Sequence, residues 1–298
     1  VGAGLVVCGI IGISIISIWL IDFFSKNILS HKIPFVVCIL LILTFISWQD
    51  DKKNIQPILR LCFHSIAVTA GIFTLTDTGN VFLGMFPKYI DILVTVFLWV
   101  WIINLTNFMD GIDGISAIEI ISICLGVIAV IIFSNYLLNI NIYSENFYII
   151  AVCLITAASM IGFLFWNWHP AKIFLGDVGS VTLGFLLGWL LLVLAALGYP
   201  APAIILPMYF ISDASLTLIR RTVRGKNLWK PHRDHFYQLA VRGGLRHDQV
   251  SGLIAASCLF MIVFTIIAMH DLPWPAVLSA VGIIVLLLFL LAKGGPTE

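Results

Sequence analysis

Ten stretches of mainly apolar residues follow one another along this chain, and most are long enough to cross a lipid bilayer as a helix. A membrane helix needs about 20 such residues, because its backbone amides must be hydrogen-bonded within the segment once water is absent. The chain is 61% hydrophobic and only 10% charged, with a mean hydropathy of +1.09. The sequence therefore predicts an all-α polytopic membrane protein, with about ten transmembrane helices in one bundle. The predicted spans are residues 2–21, 33–48, 58–76, 90–106, 115–133, 147–165, 181–198, 201–219, 251–269 and 275–292.

No linker, low-complexity tract or internal repeat separates the apolar stretches, so residues 1–298 are predicted to form a single domain. The chain begins at Val1 and enters the first apolar stretch at once. A cleavable signal peptide would carry a basic segment before its apolar core. We therefore expect the natural N-terminus to lie further upstream.

Basic residues are distributed unevenly between the two sets of loops that alternate along the predicted spans. Thirteen of the 16 Lys and Arg residues lie on the side of the first set of loops: twelve in these loops or near a terminus, and Arg60 just inside the third predicted span. The other three, Lys26, Lys32 and Lys88, fall in the second set. The positive-inside rule places the first set in the cytoplasm. This set consists of residues 49–57, 107–114, 166–180 and 220–250. All the polar motifs lie there, which predicts an active site at the cytoplasmic face.

Two short acidic stretches, NFMDGIDG (residues 107–114) and FLGDVGS (residues 174–180), adjoin long apolar stretches. The chain has only 15 Asp and Glu residues in all, and carboxylates at a membrane boundary are costly to desolvate. The neighbouring glycines allow a ligand to approach the backbone closely. This combination favours a divalent cation bound together with phosphate oxygens, and hence an enzyme.

The spacing within these stretches indicates oxygen ligands. If the first stretch is helical, Asn107, Asp110 and Asp113 share one face because they lie three residues apart. An EF-hand is the alternative, but its spacing is absent. Asp177 suits a Mg²⁺ ion, and it is equally able to cap the helix that follows. Asn167, upstream in GFLFWNWHPAK, is a candidate contact for a nucleotide.

Three more carboxylates lie within or at the end of predicted spans. Asp50 and Asp51 end the second span, and adjacent carboxylates repel, so that one keeps a proton or attracts a cation. The pair is a candidate general base or Mg²⁺-organising group, with a solvated helix end as the simpler alternative. Asp213 lies inside the eighth span and is expected either to pair with Arg220 or Arg221 or to act in catalysis.

The longest loop, residues 220–250, is rich in Arg and His. A basic loop lying on anionic lipid headgroups would explain the Arg and Lys residues. It would not explain the close grouping of His232, Arg233 and His235, side chains that can bind a diphosphate or a sugar hydroxyl. Nucleic acid is excluded as a partner, because it requires a larger basic surface.

Together these motifs resemble the polyprenyl-phosphate N-acetylhexosamine-1-phosphate transferases. The likeness covers nearly the whole chain, from the DD pair at 50–51 through NxxDGxDG at 107–114 and GFLxxN to FxGDxGS at 162–180. The HRDHFYQ sequence at 232–238 is most similar to the branch that starts O-antigen and other surface glycans. A further first span and a PTPR-like loop, usual in the family, would precede Val1. His64 stands where the family usually has Gln.

The resemblance implies that the phosphate of undecaprenyl phosphate, or a similar polyprenyl phosphate, attacks the β-phosphorus of a UDP-N-acetylhexosamine and that UMP leaves. It implies a Mg²⁺ cofactor, with Mn²⁺ as an alternative, in a protein of the bacterial inner membrane that can form a homodimer. It implies catalytic roles for Asp50 and Asp51, metal ligation by Asp177, Asn107 and Asp113, and substrate contacts from Asp110, Asn167, His232, Arg233 and His235.

Two other functions are weighed against this one. A transporter of an anionic solute would place polar groups near the bilayer midplane and show inverted repeats, whereas the polar groups here lie at one rim. A CDP-alcohol phosphotransferase would carry a longer acidic signature, which is absent after Asp113.

Overall fold

The computed structural model describes residues 2–24, 32–53, 55–76, 80–137, 146–227, 232–270 and 272–293. These residues form twelve α-helices and no strand, and a short 3-10 turn, Ile72–Thr74, continues the third helix. The helices are α1 (Gly2–Phe24), α2 (Ile33–Lys53), α3 (Pro57–Gly71), α4 (Lys88–Phe108), α5 (Ile115–Leu137), α6 (Phe147–Asn167), α7 (Gly176–Ala196), α8 (Pro200–Ile205), α9 (Met208–Val223), α10 (Phe236–Arg242), α11 (His247–Ala268) and α12 (Pro273–Lys293).

Nine helices in the described part of the chain are long and apolar enough to cross a membrane, namely α1 to α7, α11 and α12. This confirms the predicted all-α polytopic membrane fold. The prediction of one continuous helix over residues 201–219 is wrong. The segment forms α8 and α9, which are separated near Pro207 because proline has no N–H group with which to continue the helical hydrogen bonds.

Helix α7 lies at the centre of the bundle. Every residue from Val178 to Ala195 is buried, and the helix contacts α1, α2, α4, α5 and α8. A helix surrounded in this way can be apolar on all sides. Its first turn nevertheless carries Asp177, which places this carboxylate at the end of the central helix.

A glycine allows α4 to pack closely against α7. A Cβ atom added at Gly188 would lie 2.3 Å from Cδ1 of Trp99 on α4. Trp99 is fully buried, and its indole N–H donates a hydrogen bond of 2.8 Å to the carbonyl oxygen of Phe185. The indole ring is therefore held in place and cannot move aside to accommodate a methyl group.

We expect Gly188→Ala to destabilise the protein by about 1–3 kcal/mol, the usual cost of overpacking a core. Gly162→Ala on α6 is the matched control, because an added Cβ atom there meets nothing within 4 Å. The thermal unfolding midpoint of the purified protein in detergent should fall for Gly188→Ala and stay equal or rise for Gly162→Ala. Equal midpoints for the two variants would contradict the packing argument.

The polar segments predicted to lie on one side of the membrane meet at one end of the bundle. Arg60, three residues after the start of α3, reaches Asp177 at the start of α7. The hydroxyl group of Tyr237 in α10 donates to the carbonyl oxygen of Phe108 at the end of α4, over 3.1 Å. Helix ends that are far apart in sequence thus form one polar site.

Candidate active site

Asp177 and Asn107, two of the predicted metal ligands, lie side by side. The Asn107 amide donates to Asp177 Oδ1 and to Ser180 Oγ, each over 2.9 Å. Asp177 lies in the first turn of α7, where the partial positive charge of the helix N-terminus stabilises a carboxylate. The end of α4 and the start of α7 therefore hold two oxygen-bearing side chains in one place.

Arg60 links this pair to the DD motif. Its Nε lies 3.0 Å from Asp50 Oδ2, and its Nη1 lies 3.2 Å from Asp177 Oδ2. Asp50 also accepts a hydrogen bond of 2.7 Å from the backbone amide of Ile55. Arg60 is a site residue that the sequence motifs do not include, although it is the only basic residue apart from histidine in helix α3.

Asp51 gives the site an excess of negative charge. Its Oδ2 atom is buried and has no hydrogen-bond partner in the described part of the chain. Asp51 lies near enough to Asp50 and Asp177 for their charges to interact. Asp50 and Asp177 thus share the guanidinium group of Arg60, and Asp51 adds a third carboxylate close to both. The donor set fits a divalent cation such as Mg²⁺, which prefers carboxylate and carbonyl oxygens.

Asp110 adds a fourth carboxylate beside Asp177. Its burial is the main reason that its pKa is raised to about 6, and the negative charge of Asp177 acts in the same direction. Ser116 donates a hydrogen bond of 2.7 Å to Asp110 Oδ1, which partly offsets this rise. Asp110 therefore takes up a proton more readily than an ordinary aspartate.

The expectation that Asn107, Asp110 and Asp113 share a helix face is wrong. Helix α4 ends at Phe108, and residues 109–114 form a turn before α5 begins. The turn requires a φ of +82° at Gly114, a conformation that glycine adopts without strain. Asp113 consequently points to a different set of partners, His169 and His247, at 2.7 and 3.2 Å from its Oδ2 atom.

Asn167 is predicted to contact the nucleotide. In the structure its side chain forms hydrogen bonds to two loops. Its Oδ1 atom accepts a hydrogen bond of 2.9 Å from the Gly114 amide, and its Nδ2 atom donates one of 2.8 Å to the Ile173 carbonyl oxygen. The side chain thus connects the turn after α4 with the segment before α7. A nucleotide contact by Asn167 stays a prediction.

A cavity of about 460 Å³ adjoins the Asn107–Asp177 pair. Arg60 and His64 line it from α3, and His232 and His235 line it from the segment before α10. His64 is buried, and its Nδ1 atom lacks a hydrogen-bond partner in the described part of the chain. Apolar side chains also line the cavity, namely Leu61, Phe108, Val181 and Leu218. The cavity therefore offers both polar and apolar contacts.

Of the three loop residues predicted to bind substrate, the structure places two in this cavity. His232 and His235 stack with ring centroids 5.1 Å apart, whereas Arg233 is exposed and does not line the cavity. Burial, together with the nearby His235 and Arg221, lowers the pKa of His232 to about 4. His232 is therefore a neutral imidazole at pH 7.

Asp213 holds His235 in position. This fully buried carboxylate accepts hydrogen bonds from the His235 ring at 3.1 Å and from the Phe236 and Tyr237 amides at 3.1 and 3.3 Å. Tyr209 and Thr217 donate to it from its own helix.

The expected pairing of Asp213 with Arg220 or Arg221 is wrong. Arg221 pairs with Asp234, and Arg220 lies over the Phe236 ring at 5.1 Å. The His235 ring and the first residues of α10 lie beside Asp213 instead, because their N–H groups donate hydrogen bonds to both of its carboxylate oxygens.

The family model described as Glycosyl transferase family 4 matches residues 33–195, more than half of the 298-residue chain. The chain belongs to this family. The match begins with α2 and ends within α7, so it includes Asp50, Asn107, Asp110, Asp113 and Asp177. The histidines of the 232–235 segment lie beyond it.

Three curated relatives agree with the family 4 assignment and with the resemblance to polyprenyl-phosphate N-acetylhexosamine-1-phosphate transferases. A probable undecaprenyl-phosphate N-acetylglucosaminyl 1-phosphate transferase of Bacillus subtilis is 32% identical over 52% of this chain and 41% of its own length. A phospho-N-acetylmuramoyl-pentapeptide-transferase of Streptococcus uberis is 30% identical over 55% of this chain and 50% of its own length. A decaprenyl-phosphate N-acetylglucosaminephosphotransferase of Mycobacterium leprae is 29% identical over 76% of this chain and 62% of its own length.

The chain thus spans between 41% and 62% of the length of these relatives. The transporter alternative receives no support from the family or from the relatives.

Proposed function

We propose that this protein transfers an N-acetylhexosamine 1-phosphate from a UDP-sugar to undecaprenyl phosphate or a similar polyprenyl phosphate, with release of UMP. The observation that carries the proposal is the group formed by Asp50, Arg60, Asn107 and Asp177 beside the cavity. The family 4 membership and the named activities of the three relatives support the same reaction.

The site suits two phosphorylated substrates that must be brought together. Arg60 offers a guanidinium group to phosphate oxygens, and the His232 and His235 rings offer hydrogen bonds to a substrate in the cavity. The apolar lining contributed by Leu61 and Val181 matches a lipid chain better than a sugar. A reaction between two phosphates mainly requires positioning and neutralisation of charge, which these groups supply.

Asp177 and Asn107 would hold a Mg²⁺ ion. When bound, such an ion neutralises charge on the diphosphate of the donor. Asp113, predicted as a third ligand, is engaged with His169 and His247, so we assign the proposed Mg²⁺ site to Asp177 and Asn107. Mn²⁺ is the alternative ion, because it prefers the same oxygen ligands.

Within the DD pair, we assign the role of orienting or deprotonating the lipid phosphate to Asp51. Asp50 is already bonded to Arg60 and to the Ile55 amide. Asp51 keeps one carboxylate oxygen without a partner in the described part of the chain. An unpartnered carboxylate oxygen is able to accept a proton or a hydrogen bond from a substrate.

We propose that the site faces the cytoplasm of a bacterium and that the protein lies in its inner membrane. The location of 13 of 16 basic residues on the side of the site supports this orientation. A homodimer stays a prediction from the resemblance alone.

The test is UMP release by the purified protein in detergent with undecaprenyl phosphate and a panel of UDP-N-acetylhexosamines, including UDP-GlcNAc and UDP-GalNAc. We expect release that requires both the lipid and Mg²⁺, with a lipid-linked diphospho-sugar as the second product. The donor that supports the highest kcat/KM identifies the sugar. A correctly folded protein that releases no UMP with any donor, in the presence of either metal, would refute the proposal.

Arg60→Met should lower kcat by roughly 10²- to 10³-fold, the usual effect of removing one preorganised group that stabilises charge in the transition state. Arg60→Lys should retain part of the activity, because lysine keeps the positive charge but cannot contact Asp50 and Asp177 at once as the planar guanidinium does. Steady-state kinetics with unfolding midpoints as the fold control measure both effects. Activity of Arg60→Met within threefold of wild type would show that the bridge is structural only.

A further inference from the structure

His64 is a buried residue of the cavity whose imidazole ring has no hydrogen-bond partner in the described part of the chain. It lies on α3 and is only 6% exposed. Its Nδ1 atom is enclosed, whereas Nε2, at the outer edge of the ring, is the nitrogen that opens to the cavity. Buried polar groups are normally hydrogen-bonded, and an exception that lines a cavity indicates a ligand.

The cavity extends about one helical turn further into the bundle than Asp177. Its outer layer includes Arg60, Asn107 and Asp177, and its inner layer includes His64, Asn104 and Val181. Helices α3 and α7 begin at the site and α4 ends there, so each inner residue lies three or four residues deeper than its outer neighbour on the same helix. At a rise of 1.5 Å per residue, this separates the layers by about 4–6 Å.

His64 supplies a hydrogen-bond donor in the inner layer. The side-chain NH₂ group of Asn104 donates to the Val100 carbonyl oxygen over 2.8 Å, which leaves the amide oxygen of Asn104 as an acceptor. Val181 has an apolar side chain. With its proton on Nε2, His64 therefore presents an N–H group to an oxygen atom of a ligand.

Arg60 has a second donor available beside His64. Its Nε is used on Asp50 and on the Ile55 carbonyl oxygen, and its Nη1 on Asp177. Its Nη2 forms no hydrogen bond to any residue that the structure describes. His64 follows Arg60 by one turn of α3 and lies near enough for the charges of Arg60 and Asp177 to act on it. Two such donors suit a group with several acceptor oxygens and a negative charge, namely a phosphate.

We propose that His64 donates a hydrogen bond from Nε2 to the phosphate of the polyprenyl phosphate acceptor. This inference rests on the transfer reaction proposed above. The diphosphate of the UDP-sugar belongs to the outer layer, where Asp177 and Asn107 would hold its Mg²⁺ ion. The acceptor comes from the membrane, so its phosphate approaches that diphosphate from the inner layer. Leu61 and Val181 then contact the first part of the prenyl chain.

The first test is binding of undecaprenyl phosphate and of undecaprenol, the same chain without phosphate, by the purified protein in detergent without any UDP-sugar. His64→Leu should weaken binding of undecaprenyl phosphate by roughly 10- to 100-fold, the usual effect of losing one hydrogen bond to a charged group. Binding of undecaprenol should not change. His64→Gln should retain most of the affinity, because the glutamine amide keeps an N–H donor at the end of a side chain of similar length.

Steady-state kinetics are the second test. His64→Leu should raise KM for undecaprenyl phosphate and leave KM for the UDP-sugar unchanged. Ser65→Ala is the matched control on the same helix, because the Ser65 hydroxyl donates only to the Leu61 carbonyl oxygen of its own helix. This control should match wild type in binding and kinetics, and unfolding midpoints establish that each variant is folded.

The two tests separate this inference from the proposed function. If His64→Leu binds undecaprenyl phosphate as tightly as wild type, or if only KM for the UDP-sugar rises, the role of His64 is refuted although UMP release stands. If wild type releases no UMP but His64→Leu selectively loses affinity for undecaprenyl phosphate over undecaprenol, the transfer reaction is refuted and the phosphate contact of His64 stands. Equal losses for undecaprenyl phosphate and undecaprenol would show that His64 acts by packing, which also refutes the inference.

Discussion

Asp177→Asn should lower the rate of UMP release by at least about 10³-fold while the protein stays folded. The substitution removes the charge that would hold Mg²⁺ and that pairs with Arg60 at 3.2 Å, yet it keeps the size and shape of the side chain. Loss of a single group that stabilises charge in the transition state typically costs 10²- to 10³-fold, and a metal ligand supports a larger share of the catalysis. Turnover at saturating Mg²⁺ and both substrates measures the effect.

Stability should change little in this variant, because the Asp177 side chain is 36% exposed and its ion pair with Arg60 is in contact with solvent. Asp248→Asn is the matched control. It also removes one carboxylate at this end of the bundle, but one that pairs with the exposed Arg246. The control should keep near-normal turnover. Near-normal turnover of Asp177→Asn itself would disprove the assignment of the metal site.

Asp213→Asn should both destabilise the protein and lower turnover. The carboxylate is fully buried and accepts five hydrogen bonds, from Tyr209, Thr217, the His235 ring and the Phe236 and Tyr237 amides. An asparagine offers one acceptor oxygen and turns an NH₂ group toward donors. Breaking a buried charged network of this kind costs about 3–5 kcal/mol. Because His235 lines the cavity, its displacement should lower kcat/KM by at least about tenfold.

Thermal unfolding, steady-state kinetics and hydrogen exchange of residues 235–242 test this prediction together. The amides of Phe236 and Tyr237 should exchange faster in Asp213→Asn, because their acceptor is weakened. Thr217→Val is the control, since it removes only the hydrogen bond of 3.3 Å from Thr217 and keeps the charge. If Asp213→Asn equals this control in stability and rate, the carboxylate does not organise the start of α10.

The hydrophobic pattern of the sequence was sufficient to predict the architecture. The all-α membrane fold followed from the apolar stretches, because the bilayer core admits helices whose backbone groups are satisfied internally. One predicted span is wrong: residues 201–219 belong to two helices, because Pro207 lies within them. The mean hydropathy of a segment reflects how apolar its residues are and is insensitive to the missing N–H group of proline.

The residue types of the site were also predictable, since carboxylates and glycines stand out in an apolar chain. Asn107 and Asp177 were expected to act together, and the structure brings them within 2.9 Å. Their neighbours were harder to predict. A lone arginine near a helix end, such as Arg60, is ordinary in sequence terms, so nothing in the sequence places it in the site. Its significance depends on reaching Asp177, which is 117 residues away.

The sequence by itself determined that this chain forms membrane helices with a polar site at one end, and its motifs alone indicated the transferase family. Only the tertiary structure decided how the acidic residues divide: Asp177 joins Asn107 and Arg60, whereas Asp113 joins His169 and His247. The physical reason is the turn at residues 109–114. It ends α4 at Phe108 and directs side chains that lie close in sequence toward different helices, and the packing of those helices selects their partners.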